Sequence, residues 1–145
     1  MGCRREQGFT LMELIITMVI IGVLTAIAIP SYTAYIQRSN RAEARSTLLE
    51  AATWMERWRT QTGVYGSSLA TPTVAPALPP AFTQVPPPPA TAKYTIAAPV
   101  IAALGIGFTL TATPVGVMAG DPCGAFSINE TGARTPAVPA YCWSR

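Results

Sequence analysis

The residues of this sequence that could do chemistry are few, and histidine is absent. The chain of 145 residues has 7 acids, 10 basic residues and 3 cysteines but 0 histidines. Histidine is the commonest general base and metal ligand at neutral pH, and the acids are not grouped as a metal site or catalytic pair would be. Gly105 and Gly107 have the spacing of a phosphate-binding loop but lack its third glycine and its helix start. The sequence therefore indicates no catalytic residue, no metal and no cofactor, and it predicts that the chain is not an enzyme.

Glu13 is the acid with the most unusual surroundings. It lies at the start of a run, residues 14–29, in which almost every side chain is apolar. A charged side chain at the centre of a membrane helix costs about 2.5 to 3.5 kcal/mol, so an acid in this position indicates a functional role. Thr10 and Glu13 also have the spacing of a capping box, in which both side chains bind backbone N–H groups at a helix start.

Two cysteines lie near the end of the chain. Cys123 and Cys142 form an even pair once Cys3, in the first few residues, is set aside. An even pair in a chain that is directed to a membrane is typical of one disulfide in an oxidising compartment. Two free buried thiols are the alternative.

The apolar run is long enough to cross a membrane. As a helix, residues 9–29 would extend about 32 Å, close to the hydrocarbon core of about 30 Å. Arg4 and Arg5 precede the run, and the positive-inside rule places them in the cytoplasm and the later residues outside. The segment therefore predicts a single-pass membrane anchor.

A second helical pattern follows the anchor. Apolar and small residues recur at helical spacing over residues 36–58, and the pattern ends near Gly63. A helix of about fifty residues is too long for an ordinary globular domain, so its first half must be buried in lipid or among other copies. Gly22 and Pro30 are the weakest points of this helix and predict a kink near Ala26.

The side chains of the second pattern are given ordinary structural roles. Trp54 and Trp58 are four residues apart and are interpreted as core anchors. Arg41 and Arg45 could pair with nearby glutamates or with adjacent subunits, but most of these charges are expected to be solvated, since exposed ion pairs contribute little.

The remaining residues predict a small sheet. Residues 67–91 are rich in proline, which excludes a helix or a central strand and favours an extended loop. Alternating apolar residues predict three strands, at residues 93–97, 106–113 and 123–128. A sheet this small needs a second layer, which the second helical pattern can supply.

The N-terminal residues, at the start of the apolar run, carry a family resemblance. Gly8-Phe9-Thr10-Leu11-Met12-Glu13 resembles the class III prepilin signal of type IV pilins, in which a basic leader ends in glycine and glutamate follows the new N-terminus. The resemblance implies that prepilin peptidase cleaves between Gly8 and Phe9, that Phe9 is N-methylated, and that the subunit moves from the membrane into a helical filament. Met12 stands where isoleucine is commoner.

The resemblance adds two further interpretations of Glu13. The carboxylate could pair with the freed amine of Phe9 in the same subunit, or it could neutralise that amine in a neighbouring subunit and so direct assembly, which is the interpretation we favour. The resemblance also implies that the stretch from Gly22 to Pro30 can unwind in a filament. A simple kink is the alternative.

The C-terminal residues carry a second resemblance. Cys123-Gly124, the turn from Asn129 to Gly132, and Cys142-Trp143 are similar to the disulfide-closed loop of type IVa major pilins and PilE-like minor pilins. This resemblance implies a Cys123–Cys142 disulfide and a loop at the filament surface.

These observations predict an α+β fold with a long N-terminal helix, whose hydrophobic half protrudes and whose amphipathic half packs on a small antiparallel sheet. The expected segments are a leader at 1–8, a hydrophobic helix at 9–30, an amphipathic helix at 31–62, a proline-rich loop at 63–92, and a sheet with a disulfide-bonded loop at 93–145.

The predicted function is that of a type IV pilus subunit, with roles in adhesion, twitching motility or DNA uptake. Its expected partners are other pilin subunits, prepilin peptidase, the assembly machinery of the inner membrane and, before assembly, lipid. The precursor is expected in the inner membrane with its C-terminus in the periplasm, and the mature subunit in the extracellular pilus. A minor pilin that primes assembly or binds DNA in competence, and a pseudopilin of type II secretion, are the alternatives. The net charge of +3 gives DNA binding only weak support.

Overall fold

The computed structural model describes residues 8–136 and 142–143. The chain divides into two compact units, Met1–Ile36 and Gln37–Arg145. One helix, α1, extends over Leu11–Thr62 and contributes to both units.

In the first unit, the start of α1 is capped and its apolar side chains are exposed. The backbone N–H of Glu13 donates to Thr10 Oγ1 at 3.3 Å, so Thr10 satisfies one of the donors that a helix start leaves without a partner. The hydroxyls of Thr17 and Thr25 donate to the carbonyls of Leu14 and Ile21, at 2.9 and 2.7 Å. These hydroxyls are therefore satisfied within the helix, which is what an apolar environment requires.

In the second unit, α1 buries one face. Ala44, Leu48, Ala51 and Met55 are each 0% exposed, and their spacing of three or four residues puts them on one side of the helix. The helix ends at Thr62, and the next residue, Gly63, has a positive φ of 83° that suits glycine and an N–H that donates to the Arg59 carbonyl at 2.8 Å.

The other layer is an antiparallel sheet of six strands in the order β1-β2-β4-β5-β6, with β3 also paired to β4. The strands are β1 Gln84–Val85, β2 Tyr94–Ile96, β3 Val100–Ile101, β4 Phe108–Pro114, β5 Phe126–Asn129 and β6 Arg134–Thr135. Burial alternates along the longest strand, where Phe108, Leu110 and Ala112 are buried and the threonines between them are less so. These side chains and the buried face of α1 form one hydrophobic core, as the alternation predicts.

The proline-rich segment contains more structure than a loop. It includes a short 3-10 helix at Pro80–Phe82 and the edge strand β1, which among the described residues pairs only with β2. Val85 is fully buried, and the Gln84 amide donates to the carbonyls of Pro86 and Ala90. Proline is tolerated here because an edge strand leaves one side of its backbone unpaired.

The third predicted strand begins later than expected. β5 starts at Phe126 because the residues before it form a turn. The N–H of Gly124, which has a φ of 61°, donates to the Asp121 carbonyl at 2.9 Å, and the N–H of Cys123 donates to Asp121 Oδ1 at 3.1 Å. A glycine with positive φ here sets the entry into the strand.

Candidate functional site

The first part of the candidate site is the start of α1. Gly8 is exposed and Phe9 is 82% exposed, so the bond between them is accessible and precedes the first helical residue. Glu13 lies in the first turn of α1, where a negative charge is favoured by the helix dipole. Among the described residues, no side chain or N–H group binds its carboxylate. The contact between Glu13 and Thr10 is made by the backbone N–H of Glu13.

The helix that follows is exposed and apolar. By length and composition α1 contains a segment that could cross a membrane, and none of that segment is buried. Its large apolar side chains are about half to three-quarters exposed, as in Leu14 at 56% and Met18 at 75%. Exposed apolar surface on this scale is typical of a contact with lipid or protein.

Gly22 and Pro30 lie within continuous helix. α1 passes through both positions without a break, and a Cβ at Gly22 would meet no atom within 4 Å. Packing against the described residues therefore does not require glycine at this position. The kink near Ala26 and the unwinding of this stretch stay predictions.

The second part of the site lies in the second unit, around the disulfide. Cys123 and Cys142 are joined with Sγ atoms 2.04 Å apart and Cα atoms 5.7 Å apart, and both residues are buried. This geometry is that of an ordinary protein disulfide. Residues 137–141 and 144–145 of the loop and tail lie outside the described residues.

Asp121 is the centre of a buried polar network beside the disulfide. Its Oδ1 accepts from Arg41 Nη2 at 2.6 Å and Nε at 2.9 Å, and its Oδ2 accepts from the Tyr94 hydroxyl at 2.7 Å. The side chain of Asp121 is fully buried and that of Arg41 is 10% exposed. The network joins α1, strand β2 and the turn that carries Cys123.

The network shifts the pKa values of its members. Burial alone would raise the pKa of Asp121, but the hydrogen bonds from Arg41, Tyr94 and the Cys123 N–H outweigh it and hold the pKa below its ordinary value of 3.8. Burial, followed by the hydrogen bond to Asp121, raises the pKa of Tyr94. At neutral pH the carboxylate is therefore charged and the phenol is neutral.

A group of basic side chains extends outward from this network. Arg45, one turn after Arg41, donates from Nη1 to the Cys142 carbonyl at 3.3 Å. Arg134 on β6 lies over the ring of Trp143, with its guanidinium carbon 5.2 Å from the ring centroid. Burial lowers the pKa of Arg45, and the positive charges of Arg41 and Arg134 lower it further. We call Arg45 and Arg134 the basic cluster, because the charge of Arg41 is already compensated by Asp121.

Sequence reasoning missed most of this arrangement. It offered Arg41 a nearby glutamate, an adjacent subunit or solvent, whereas Arg41 is buried against Asp121. Arg134 lies over the ring of Trp143, and Lys93 donates to Asn40 Oδ1 at 2.8 Å. Arg145 lies outside the described residues.

The chemistry that these groups offer is ionic pairing and binding. In the part of the chain that the structure describes, no three histidine, cysteine or acidic side chains are grouped as a metal site would need. Trp54 and Trp58 stack on each other with ring centroids 5.4 Å apart, and Trp58 donates to the Gly66 carbonyl at 2.8 Å. Both tryptophans are half-buried, and Trp54 packs against the core as predicted.

Two family models match this chain, one after the other. The model described as type IV minor pilin ComP, DNA uptake sequence receptor, matches residues 30–127. The model of the prokaryotic N-terminal methylation motif matches residues 3–29. Together they cover the apolar segment, the amphipathic part of α1 and most of the sheet.

Individual relatives match less than a third of this chain. The type IV major pilin protein PilA of Myxococcus xanthus is 50% identical over 44 residues, which are 30% of this chain and 20% of PilA. The type IV major fimbrial protein FimA of Dichelobacter nodosus is 56% identical over 41 residues, which are 28% of this chain and 26% of FimA. The chain thus aligns with about a quarter or less of the length of these curated relatives.

A solved structure extends the similarity to the fold. A type IV pilin from Shewanella oneidensis is 27% identical, with a TM-score of 0.51, over 75% of this chain and 99% of that one. The long helix on an antiparallel sheet is therefore a pilin fold. With a family model that covers well over half of the sequence, the chain belongs to the type IV pilins and, among them, to the family described by the ComP minor pilin model.

Proposed function

We propose that this chain is a structural subunit of a type IV pilus, assembled through Glu13 and the N-terminal amine of Phe9. The observation that carries the proposal is an exposed apolar helix with one charged carboxyl residue in its first turn and no described partner for that carboxylate. A sister subunit would supply both an apolar surface and a positive charge.

The energetics favour a pairing between subunits over an isolated charge. A carboxylate in an apolar environment costs several kcal/mol unless it is paired and hydrogen-bonded. Cleavage after Gly8 would give Phe9 a charged amine, and N-methylation would keep that charge at neutral pH. Pairing of Glu13 with this amine in a neighbour would offset the desolvation of both groups and fix the position of one subunit against the next.

The proposal includes the route to the filament. Prepilin peptidase would cleave the precursor in the inner membrane, with the second unit in the periplasm, and assembly machinery would then extract the subunit into an extracellular pilus. The match to the N-terminal methylation motif and the accessible Gly8–Phe9 bond support this order of events.

The test is the Glu13→Ala variant of the full chain. We expect cleavage and N-methylation at Phe9 to continue and the yield of sheared filaments to fall at least tenfold, since the amine would lose its partner. Thr10→Ala is the matched control: it removes the observed cap, worth about 1 kcal/mol, but leaves the charge. Mass spectrometry of the N-terminal peptide and immunoblots of sheared filaments would measure both. Normal yield from Glu13→Ala would refute the proposal, and a loss in both variants would point to the cap instead.

A second function, DNA binding, is favoured by the basic cluster and by the description of the matching family. Arg45 and Arg134 contact neighbouring residues of the C-terminal segment, since Arg45 donates to the Cys142 carbonyl and Arg134 lies over the ring of Trp143. We propose that this face binds the DNA backbone, because clustered guanidinium groups bind phosphate and release its counterions.

This second proposal predicts a steep dependence on salt. Fluorescence anisotropy of labelled duplex DNA with the full chain in detergent should show binding at 50 mM salt that weakens strongly by 200 mM. Arg134→Ala should weaken binding to all sequences and reduce the salt slope by about 1, whereas Arg57→Ala, at an exposed arginine outside the basic cluster, should not. Equal effects of the two substitutions, or no binding at low salt, would refute DNA binding at this face.

A further inference from the structure

The loop between β4 and β5 carries the most exposed large apolar side chain among the described residues. This side chain is Val117, which is 83% exposed. It lies in a short 3-10 turn at Gly116–Met118, and no residue from Pro114 to Gly120 carries a charge. We call residues 115–120 the apolar loop.

The apolar loop has a defined conformation, so the exposure of Val117 does not come from a loose chain. The N–H of Met118 donates to the Val115 carbonyl at 3.0 Å, and Gly116 turns the chain with a positive φ of 55°. The side chain of Met118 is 2% exposed, and its Sδ accepts from Asn40 Nδ2 at 3.4 Å. Because Met118 is anchored in the core, its neighbour Val117 is held at the surface of the second unit.

The apolar loop lies beside the first residues of the second unit. That unit begins at Gln37, and Asn40, which binds Met118, is its fourth residue. Asp121, which directly follows the loop, binds Arg41. The loop is therefore at the end of the second unit that follows the predicted membrane anchor in the sequence.

A basic side chain flanks the apolar loop. The N–H of Val115 donates to the Lys93 carbonyl at 2.8 Å, which places Lys93 next to the loop. The ammonium group of Lys93 donates to Asn40 Oδ1 at 2.8 Å, and Asn40 is also the residue that binds Met118. An apolar tip with a lysine beside it is typical of a surface that binds an anionic membrane, because the tip enters the lipid and the lysine pairs with phosphate.

Two tyrosines before the second unit indicate where the membrane surface lies. Tyr32 and Tyr35 follow the apolar run and are 66% and 65% exposed. Tyrosine is enriched at the level of the lipid headgroups. Tyr35 is five residues before Asn40, and five helical residues add about 7.5 Å, which is similar to the headgroup depth of about 5 to 7.5 Å on each side of the hydrocarbon core. A loop beside Asn40 is therefore within reach of the headgroups.

We propose that the apolar loop and Lys93 form a lipid-docking site, which holds the second unit on the anionic headgroups of the outer leaflet before assembly. The inference rests on the proposed membrane precursor and adds a second lipid contact to its anchor. One valine and one lysine bind a membrane weakly, so the contact is reversible when the subunit is extracted.

The test compares two exposed valines of the second unit. Val117 follows the end of β4, whereas Val100, which is 70% exposed, lies on β3 beside the start of β4. Each is changed to cysteine in the full chain with Cys3→Ser and labelled with the fluorophore NBD, in vesicles of equal parts phosphatidylglycerol and phosphatidylcholine. The label at Val117→Cys should emit at least twofold more strongly than the label at Val100→Cys. Lipids with a spin label near the headgroup should quench the first label and not the second.

The basic residue is tested separately. Lys93→Gln keeps a donor for Asn40 but removes the charge. In the anionic vesicles the ratio of docked to free loop should fall about fivefold, as expected for one basic residue at an anionic surface, and in phosphatidylcholine alone it should not change. Arg57→Gln, at an exposed arginine, is the matched control and should have no effect. Equal effects of the two substitutions would refute the role of Lys93.

A third label separates this inference from the proposal of a membrane precursor. Val19→Cys, within the anchor, should be quenched by lipids labelled deep in the acyl chain. Quenching at Val19 with none at Val117, or equal quenching at Val117 and Val100, would refute the docking site alone. Absence of quenching at Val19 would refute the membrane precursor itself. A label at Val117 that is shielded in sheared filaments but not in vesicles would identify another pilin as the occupant and overturn the choice of lipid.

Discussion

The strongest prediction for stability concerns Asp121, at the centre of the buried network. Asp121→Ala removes a carboxylate that accepts hydrogen bonds from Arg41, Tyr94 and the backbone N–H of Cys123. The guanidinium of Arg41, whose side chain is only 10% exposed, would lose the carboxylate that compensates its burial. We expect the second unit to be strongly destabilised, and the disulfide to keep its covalent link.

The magnitude follows from the burial of the pair. Removal of one member of a buried ion pair costs about 3 to 5 kcal/mol, because the other charge stays in a medium of low dielectric constant. Asp121→Asn keeps one acceptor for Tyr94 or Cys123 but also leaves the Arg41 charge uncompensated, so we expect a loss at the lower end of this range, about 3 kcal/mol. Tyr94→Phe removes one hydrogen bond and should cost about 1 kcal/mol.

Urea unfolding of the full chain in mild detergent, followed by tryptophan fluorescence, would measure these losses. The decisive experiment is a double-mutant cycle with Arg41→Met and Asp121→Leu. The loss in the double variant should be smaller than the sum of the two single losses by at least about 2 kcal/mol, because an apolar pair leaves no buried charge. A coupling energy below about 0.5 kcal/mol would refute the idea that this pair is a single energetic unit.

Three further predictions concern the same unit. Because the pKa of Asp121 is lowered on folding, its contribution to stability is present above its ordinary pKa of 3.8 and is lost as the pH falls through the lower folded value. Unfolding midpoints measured from pH 6 to pH 2 should show this loss in the unchanged chain and not in Asp121→Asn. Reduction of the Cys123–Cys142 disulfide, or its replacement by two serines, should lower the free energy of unfolding by about 3 kcal/mol, because the unfolded chain regains the entropy of the open loop. The melting temperature should fall, and an unchanged melting temperature would contradict this prediction. Leu48→Ala should lower the free energy of unfolding in urea by about 2 to 5 kcal/mol, whereas Leu49→Ala, at the neighbouring residue that is 40% exposed, should lower it by less than about 1 kcal/mol. Equal losses would contradict the assignment of the buried face.

Much of the fold could be predicted from local patterns. The alternation of Phe108, Leu110 and Ala112 with threonines indicates a strand with one buried face, and the structure confirms it. The spacing of Ala44 and Leu48 identifies the buried face of α1 in the same way. Such patterns are predictable because they depend on the repeat of a helix or strand and on no distant residue.

The polar part of the site could not be predicted in the same way. Arg41 and Asp121 are separated by 80 residues, and no local pattern connects them. The turn that places Asp121 depends on Gly124 with its positive φ, and the sequence alone suggested a strand there. The placement of Arg45 and Arg134 likewise depends on distant residues, because Arg45 donates to the Cys142 carbonyl and Arg134 lies over the ring of Trp143.

Glu13 and Arg41 show how one helix can separate folding from assembly. Both are ionisable residues of α1, and each would be costly to bury alone. Arg41 is buried and binds Asp121 of its own chain, so its charge is compensated when a single subunit folds. Glu13 binds no described group through its carboxylate, and the apolar side chains after it are exposed. A substitution at Arg41 should therefore change the stability of the isolated subunit, whereas one at Glu13 should leave that stability almost unchanged and alter only the yield of filaments.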